Sequence, residues 1–332
     1  MYFLLGISLV FASLLVLNAA ASIFGSVLWR FVSKSAVNWS AQKRARFIFA
    51  LRVFPFAGAL VFVSAFLLPA YLLFEPHASD ESVSFKLAFL STVSAIGSVC
   101  AFVNIFRTRR ATRLLVSDWM KYAEPIEIPD VSIPVYRISH PFPVIAVVGA
   151  FRPRMFIANQ IFALLDEKEF QAAIRHETGH LAARDNLKRT FMRVCRDLLV
   201  FPFGQTLDRA WAENAESGAD EYAAQTGDNS TALDLAAALI KIARIVPPGA
   251  KPSMPTGAFL IEQPSAEIAF RVQKLLQMTD GKSVLQNCRS SNFLFRLYTG
   301  FALYALLLLL VVNQNFLQKV HNIIETVVAV LK

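Results

Sequence analysis

The sequence predicts an α-helical membrane protein with four membrane-spanning helices and an α+β cytoplasmic domain inserted between the third and the fourth. Three observations predict this. First, four runs carry no charge: Phe3 to Trp29, Val53 to Phe74, Leu87 to Phe106, and Leu297 to Val312 with its polar continuation. Each is about long enough to cross a hydrocarbon core of roughly 30 Å as a helix. Second, hydrophobic residues make up 55% of the chain and charged residues 17%, and the mean hydropathy is +0.47, well outside the range of a soluble globular domain. Third, the long stretch between the third and fourth runs has short β-rich segments followed by amphipathic helical patterns.

The first run could be a signal peptide, because Asn18-Ala19-Ala20-Ala21-Ser22 resembles a cleavage site. No basic segment precedes it and the apolar run continues past that point, so a retained span is the expectation. Pro55 and Pro69 in the second run are tolerable inside a membrane bundle. Charge sets the orientation. Arg30, Lys34, Lys43, Arg44, Arg46 and Arg52 separate the first two runs, and Arg107, Arg109, Arg110 and Arg113 follow the third. The loop between the second and third has Glu75, His77, Asp80 and Glu81, with Lys86 as its one cation. Basic loops stay cytoplasmic. The expected arrangement is a multi-pass protein of the cytoplasmic membrane with its N-terminus outside. Its three units are residues 1–106 (three spans), 107–291 (the cytoplasmic domain) and 292–332 (the fourth span and a short amphipathic outer tail).

The net charge of +9 is largely juxtamembrane and needs no nucleic acid to account for it. The expected partners are the lipid bilayer and whatever the cytoplasmic domain acts on. Cys100, Cys195 and Cys288 have no partner at disulfide or metal-ligand spacing and read as small packing residues.

Within the domain, Val131 to Ile138, Pro143 to Val148 and Arg154 to Ile157 read as short strands, split by Gly149 and Pro153. A helix then begins at Asp166, with Glu169 completing a capping-box pair. Asn186 to Phe201 is a second helix, with an apolar stripe of Leu187, Phe191, Val194, Leu198 and Phe201 and a basic face of Lys188, Arg189, Arg193 and Arg196. Helices over Leu207 to Gln225, Ala232 to Ile245 and Ser265 to Met278 follow, with a Pro- and Gly-rich loop from Pro247 to Gly257. In the tail, Phe316, Val320, Ile323, Ile324, Val327 and Leu331 form a helical stripe. It either rests on the outer membrane interface or extends the span.

His176-Glu177-Thr178-Gly179-His180 lies on the Asp166 helix. Positions i and i+4 stack on one helical face, so both imidazoles can meet a single zinc ion, with Glu177 beside it as a base. Zinc needs a third protein ligand. A later histidine does not supply it, because positions 183 and 186 are Ala183 and Asn186. The Leu207 to Gln225 helix offers Glu213, Glu216, Asp220 and Glu221, with small Ala212, Ala215, Gly218 and Ala219 between them. Glu216 and Asp220 are one turn apart, so one can bind the ion while the other orients a histidine. An edge strand around Val144 to Val148 could pair with an extended peptide and lay its carbonyl near the ion.

The segments Val148-Gly149-Ala150-Phe151-Arg152-Pro153, HETGH, Ala183-Arg184-Asp185-Asn186 and Glu216-Ser217-Gly218-Ala219-Asp220 resemble the membrane metallopeptidases of the beta-lactam-sensor antirepressor type. These gluzincins are relatives of the CAAX prenyl and heat-shock membrane proteases. The resemblance implies a zincin-like protease domain with His176, His180 and Glu216 as zinc ligands, Glu177 as catalytic base, and Asp220 supporting a ligand histidine. Three spans before the domain and one after match the antirepressor type. The extracellular penicillin-binding domain of those sensors has no counterpart here, so beta-lactam sensing is not implied. The relatives also show His-Pro and then Arg before their last cytoplasmic helix. Here Gln263-Pro264 precedes Arg271, which is either a catalytic residue by position or a surface or salt-bridge residue.

The expectation is a membrane-embedded zinc endopeptidase that cuts a cytoplasmic or juxtamembrane protein, with regulated cleavage or self-cleavage implied by the resemblance. The rival is a non-catalytic receptor or scaffold whose zinc is structural. A transporter is disfavoured because the runs have no buried ionisable residue to line a path.

Overall fold

A computed structural model describes residues 2–76, 83–199, 205–245, 265–279 and 314–331, with isolated positions between 299 and 306. Among the described residues, three helical units are long and apolar enough to cross a membrane. The first, α1, runs Tyr2–Ser35. The second is α2 (Ala41–Phe62), a π-turn over Val63–Leu67, and α3 (Leu68–Phe74). The π-turn sits just before Pro69, whose missing N–H and ring displace the regular ladder. The third is α4, Phe85–Trp119, which continues well past Phe106 until Trp119 joins the core of the following domain. The fourth apolar run, Leu297 to Val312, lies largely outside the described residues, as do Cys288 and the 247–257 loop.

The domain opens with a four-stranded sheet of order β1-β2-β4-β3. Its strands are β1 (Glu124–Ile126), β2 (Val135–Ile138), β3 (Ile145–Val148) and β4 (Arg154–Ala158). β2 and β4 are parallel, and the other two pairs are antiparallel. β1 was not expected. It is three residues long, contains Pro125 and is mostly exposed, so it shows no alternation to read. β3 and β4 are apolar on both faces, and their side chains form the main core with helices that follow.

Those helices are α5 (Asn159–Leu164), α6 (Glu167–Ala183), α7 (Asp185–Asp197), α8 (Gln205–Thr226), α9 (Thr231–Ile245) and α10 (Ser265–Thr279). The Asp166 carboxylate accepts from the Glu169 N–H and the Glu169 carboxylate from the Asp166 N–H, so the capping box starts α6 on both sides. α7 turns a different face inward than its apolar stripe suggests. Asp185, Lys188, Met192 and Cys195 are buried, while Phe191 is 45% exposed. The reason is an ion pair: Lys188 Nζ lies 3.2 Å from Asp185 Oδ1, and Asp185 in turn holds a histidine. Burial raises the Cys195 thiol to about 11, which suits a packing role. Cys100 instead faces outward from α4.

α8 is the hinge of the architecture. It packs on α6 on one side and on α2 on the other, where Ile48 and Phe49 meet Met192, Leu207, Trp211 and Ala215. Arg52 of α2 is buried and its Nε donates to Asp208 Oδ1 at 3.0 Å. The last described helix, α11 (Gln314–Leu331), lies along α3 and the π-turn.

Candidate metal centre

The site lies where α6 crosses α8. Gly179 permits the crossing. A Cβ there would stand 3.1 Å from Ala219 Cα and 3.2 Å from Tyr222 Cβ, tighter than ordinary contact, so a side chain would push the two helices apart by a few tenths of an ångström. Gly218, on the far face of α8, serves a different contact, lying against Gln42 of α2.

The crossing brings His176, His180 and Glu216 together, one donor atom from each within 4.8 Å of the others. His176 Nε2 lies 3.6 Å from Glu216 Oε2, and His180 Nε2 lies 3.6 Å from Glu216 Oε1. These separations are too long for good hydrogen bonds. Donors about 2.1 Å from a tetrahedral ion stand about 3.4 Å from one another, so the spacing suits zinc. His176 Nε2 is buried without a hydrogen-bond partner, and Glu216 Oε2, also without a hydrogen bond, has the Arg271 guanidinium beside it. Orphaned polar atoms that converge are costly unless an ion satisfies them. The donor chemistry, two imidazoles and a carboxylate, is also that of a zinc site with an open position.

Both rings are oriented from behind. His176 Nδ1 lies 2.9 Å from Asp220 Oδ1, and His180 Nδ1 lies 2.9 Å from Asp185 Oδ2. The His180 contact is a hydrogen bond and favours a tautomer with Nε2 free to ligate, while the His176 contact is close without hydrogen-bond alignment. Sequence reasoning singled out Asp220 but missed Asp185. The turn that delivers Asp185 is made by Arg184 in the left-handed region, φ 55°, an uncommon conformation for a residue with a side chain. An acid five residues past the second histidine is a signal, but nothing in the spacing alone announces that turn.

Arg271 of α10 is 2% exposed. Its Nε donates to Asp220 Oδ2 at 2.9 Å and its Nη2 to Asp220 Oδ1 at 2.7 Å, while Nη1 lies 3.2 Å from Glu216 Oε2. Arg271 thus makes buried ion pairs with both Asp220 and Glu216.

Charge balance follows from this packing. Burial alone would raise the carboxyls. For Asp220 the Arg271 charge and the His176 ring outweigh burial and bring it down to about 2. Glu216 is likewise held well below its ordinary value, by His180 above all. Burial disfavours charge on both imidazoles, yet Asp220 and Glu216 raise His176, and Glu216 and Asp185 carry His180 up to about 10. Glu177 differs. It is 5% exposed, burial is the largest influence on it, and its pKa is raised despite both histidines.

The neighbouring Glu221 went unassigned in the sequence. Its two oxygens accept from the Ala41 N–H at 3.2 and 2.9 Å, capping the second span, and Lys274 Nζ lies 3.0 Å away. No curated protein matches the chain. Residues 120–251 match the family model of Peptidase family M48, a match that spans the sheet, α6 and α8 and supports a zinc metallopeptidase family for this domain.

Proposed function

We propose that the protein is a zinc endopeptidase whose site stands at the cytoplasmic membrane boundary and cuts a peptide bond in a cytoplasmic or juxtamembrane protein. His176, His180 and Glu216 would hold the ion, with Asp220 and Asp185 fixing the two imidazoles and Arg271 positioning Asp220 and Glu216. The observation behind this reading is the convergence of the His176, His180 and Glu216 donor atoms of α6 and α8 beside the buried carboxyl of Glu177. A bound zinc supplies a Lewis acid for the scissile carbonyl and brings its water's pKa to about 7. Glu177 takes the proton of the attacking water and returns it to the leaving nitrogen. A non-catalytic zinc site has no use for Glu177.

The edge strand β3 is the place where an extended peptide would join the sheet. Its residues are buried and the Val147 carbonyl accepts from Asn186 Nδ2 at 2.8 Å, so a peptide pairing there would have to displace what covers the strand. The packing of α8 on the first turns of α2 supports a substrate near the membrane. Regulated cleavage of a repressor-like protein, as in the antirepressor type, is the finer form of this reading.

The test is Glu177→Gln in the full-length protein, with zinc content and proteolysis measured together. Full zinc with proteolysis down by roughly 10²–10⁴ is expected. Undiminished proteolysis removes Glu177 from the mechanism, and the absence of any cleavage by the wild type in intact membranes favours a structural zinc.

A further inference from the structure

A second group of donors lies at the opposite end of the spans. The second span runs Ala41–Phe74, 34 residues, which is about 50 Å of helix at 1.5 Å per residue. Its first residue is capped from α8 by Glu221, beside the site just described. Glu75 follows its last residue. Against this far end lies α11. Leu317, Val320, Ile324 and Val328 are buried there, packed with side chains of α1, the π-turn and α3. Phe316 meets Phe66, and the His321 ring lies 5.9 Å from that of Phe74, so α11 rises alongside the second span to its end.

On the same side of α11, His321 and Glu325 are one turn apart. One donor atom from each, with one from Glu75, lie within 4.8 Å of one another. Glu75 is 6% exposed. His321 Nδ1 is buried and has no hydrogen-bond partner among the described residues. The layout has the logic of the first site: an i, i+4 pair on one helix, completed by a carboxylate from a separate element. One imidazole with two carboxylates suits zinc or manganese rather than the all-oxygen cages of calcium and magnesium.

We propose that Glu75, His321 and Glu325 form a second divalent-metal site, of zinc type, that clips the tail helix α11 to the end of the second span. It is independent of the hydrolytic reading, because its ligands lie a full span away from His176. By the distribution of basic residues this end faces outward, so the ion is taken from the extracytoplasmic side.

The experiment uses full-length protein in detergent, stripped with a chelator and titrated with zinc chloride alone. Metal per chain, the cobalt(II) absorption spectrum and the thermal midpoint are read. Wild type is expected to bind about two equivalents and to melt higher with zinc. Glu325→Gln keeps the side-chain volume. It should bind one equivalent fewer, or bind that equivalent at least tenfold more weakly, with an unchanged elution profile. His321→Ala should do the same and lose one nitrogen-ligand contribution from the cobalt spectrum. Glu216→Gln should weaken only the other equivalent, so loss of the hydrolytic site and loss of this one are told apart. Equal zinc content and affinity in the wild type and Glu325→Gln would overturn the proposal, whatever happens in His321→Ala. So would a Glu216→Gln protein whose remaining zinc is indifferent to Glu325→Gln.

Discussion

At the scale of residues, the two imidazoles of the metal centre are proton-hungry. His180 is raised to about 10 and His176 above its ordinary value, each against burial and by a carboxylate. In the metal-free chain His180 is therefore protonated at neutral pH, and a metal must displace that proton to bind. The sign follows: as pH falls, the proton wins and zinc affinity drops, by roughly tenfold per pH unit for one displaced proton. Competition with a chromophoric chelator between about pH 6 and 7.5 measures the slope, and a flat dependence counts against the pairings. Asp185→Asn should remove the acceptor behind His180 and cost about 10–100-fold in zinc affinity, with the Glu177 environment intact. Of these residues, His176, Glu177 and His180 are legible because they sit on one regular helix, where spacing is geometry. Asp185 is not, because its position depends on the left-handed turn at Arg184. Glu221 is not, because its partner is the Ala41 N–H, 180 positions away.

At the scale of elements, the close crossing of α6 and α8 is the feature most exposed to a single change. Gly179→Val would place branched carbons where Ala219 Cα already stands 3.1 Å from a notional Cβ. Overpacking of this kind costs about 1–3 kcal/mol. It should also spread the donors, so the thermal midpoint and the zinc content should fall together. A stable variant with full zinc would mean that the helices have room. The strands β2, β3 and β4 were legible from β-branched runs broken by Gly149 and Pro153, and α6 from its capping box. α7 was legible as a helix but not in its facing. Amphipathic pattern assumes that charge turns outward, and here the buried pair Lys188 and Asp185 reverses that. The tail shows a related shift: Ile323 and Val327 of its apolar stripe are exposed, while Leu317 and Val328 are buried. A helix apolar nearly all round does not tell which side meets protein.

At the scale of the whole molecule, membrane helices and domain are bound together through α8. Arg52 is buried in the second span and Asp208 is 24% exposed at its side chain. Asp208→Asn leaves the arginine without its counter-charge. The expected cost is of the order of 2–3 kcal/mol, less than for a fully buried pair because water reaches Asp208. Thermal unfolding in detergent measures it, and no change would show that Arg52 finds another partner. The apolar runs made the three long apolar helices legible, since hydropathy integrates over some twenty residues and needs no tertiary information. That α8 would lie directly on the second span was not legible, because its contact residues (Trp211, Ala215 and Leu207) look like any helix core. Adjacent residues of α8 hold different things: Asp220 the ring of His176, and Glu221 the start of the second span. The length of a hydrophobic helix is matched to its bilayer, and a mismatch is relieved by tilt or displacement. On the proposed peptidase reading, lipid thickness would thereby act as a dial on hydrolysis. Turnover in vesicles of short- and long-chain lipids should diverge, and Glu221→Gln should bring the two rates closer together.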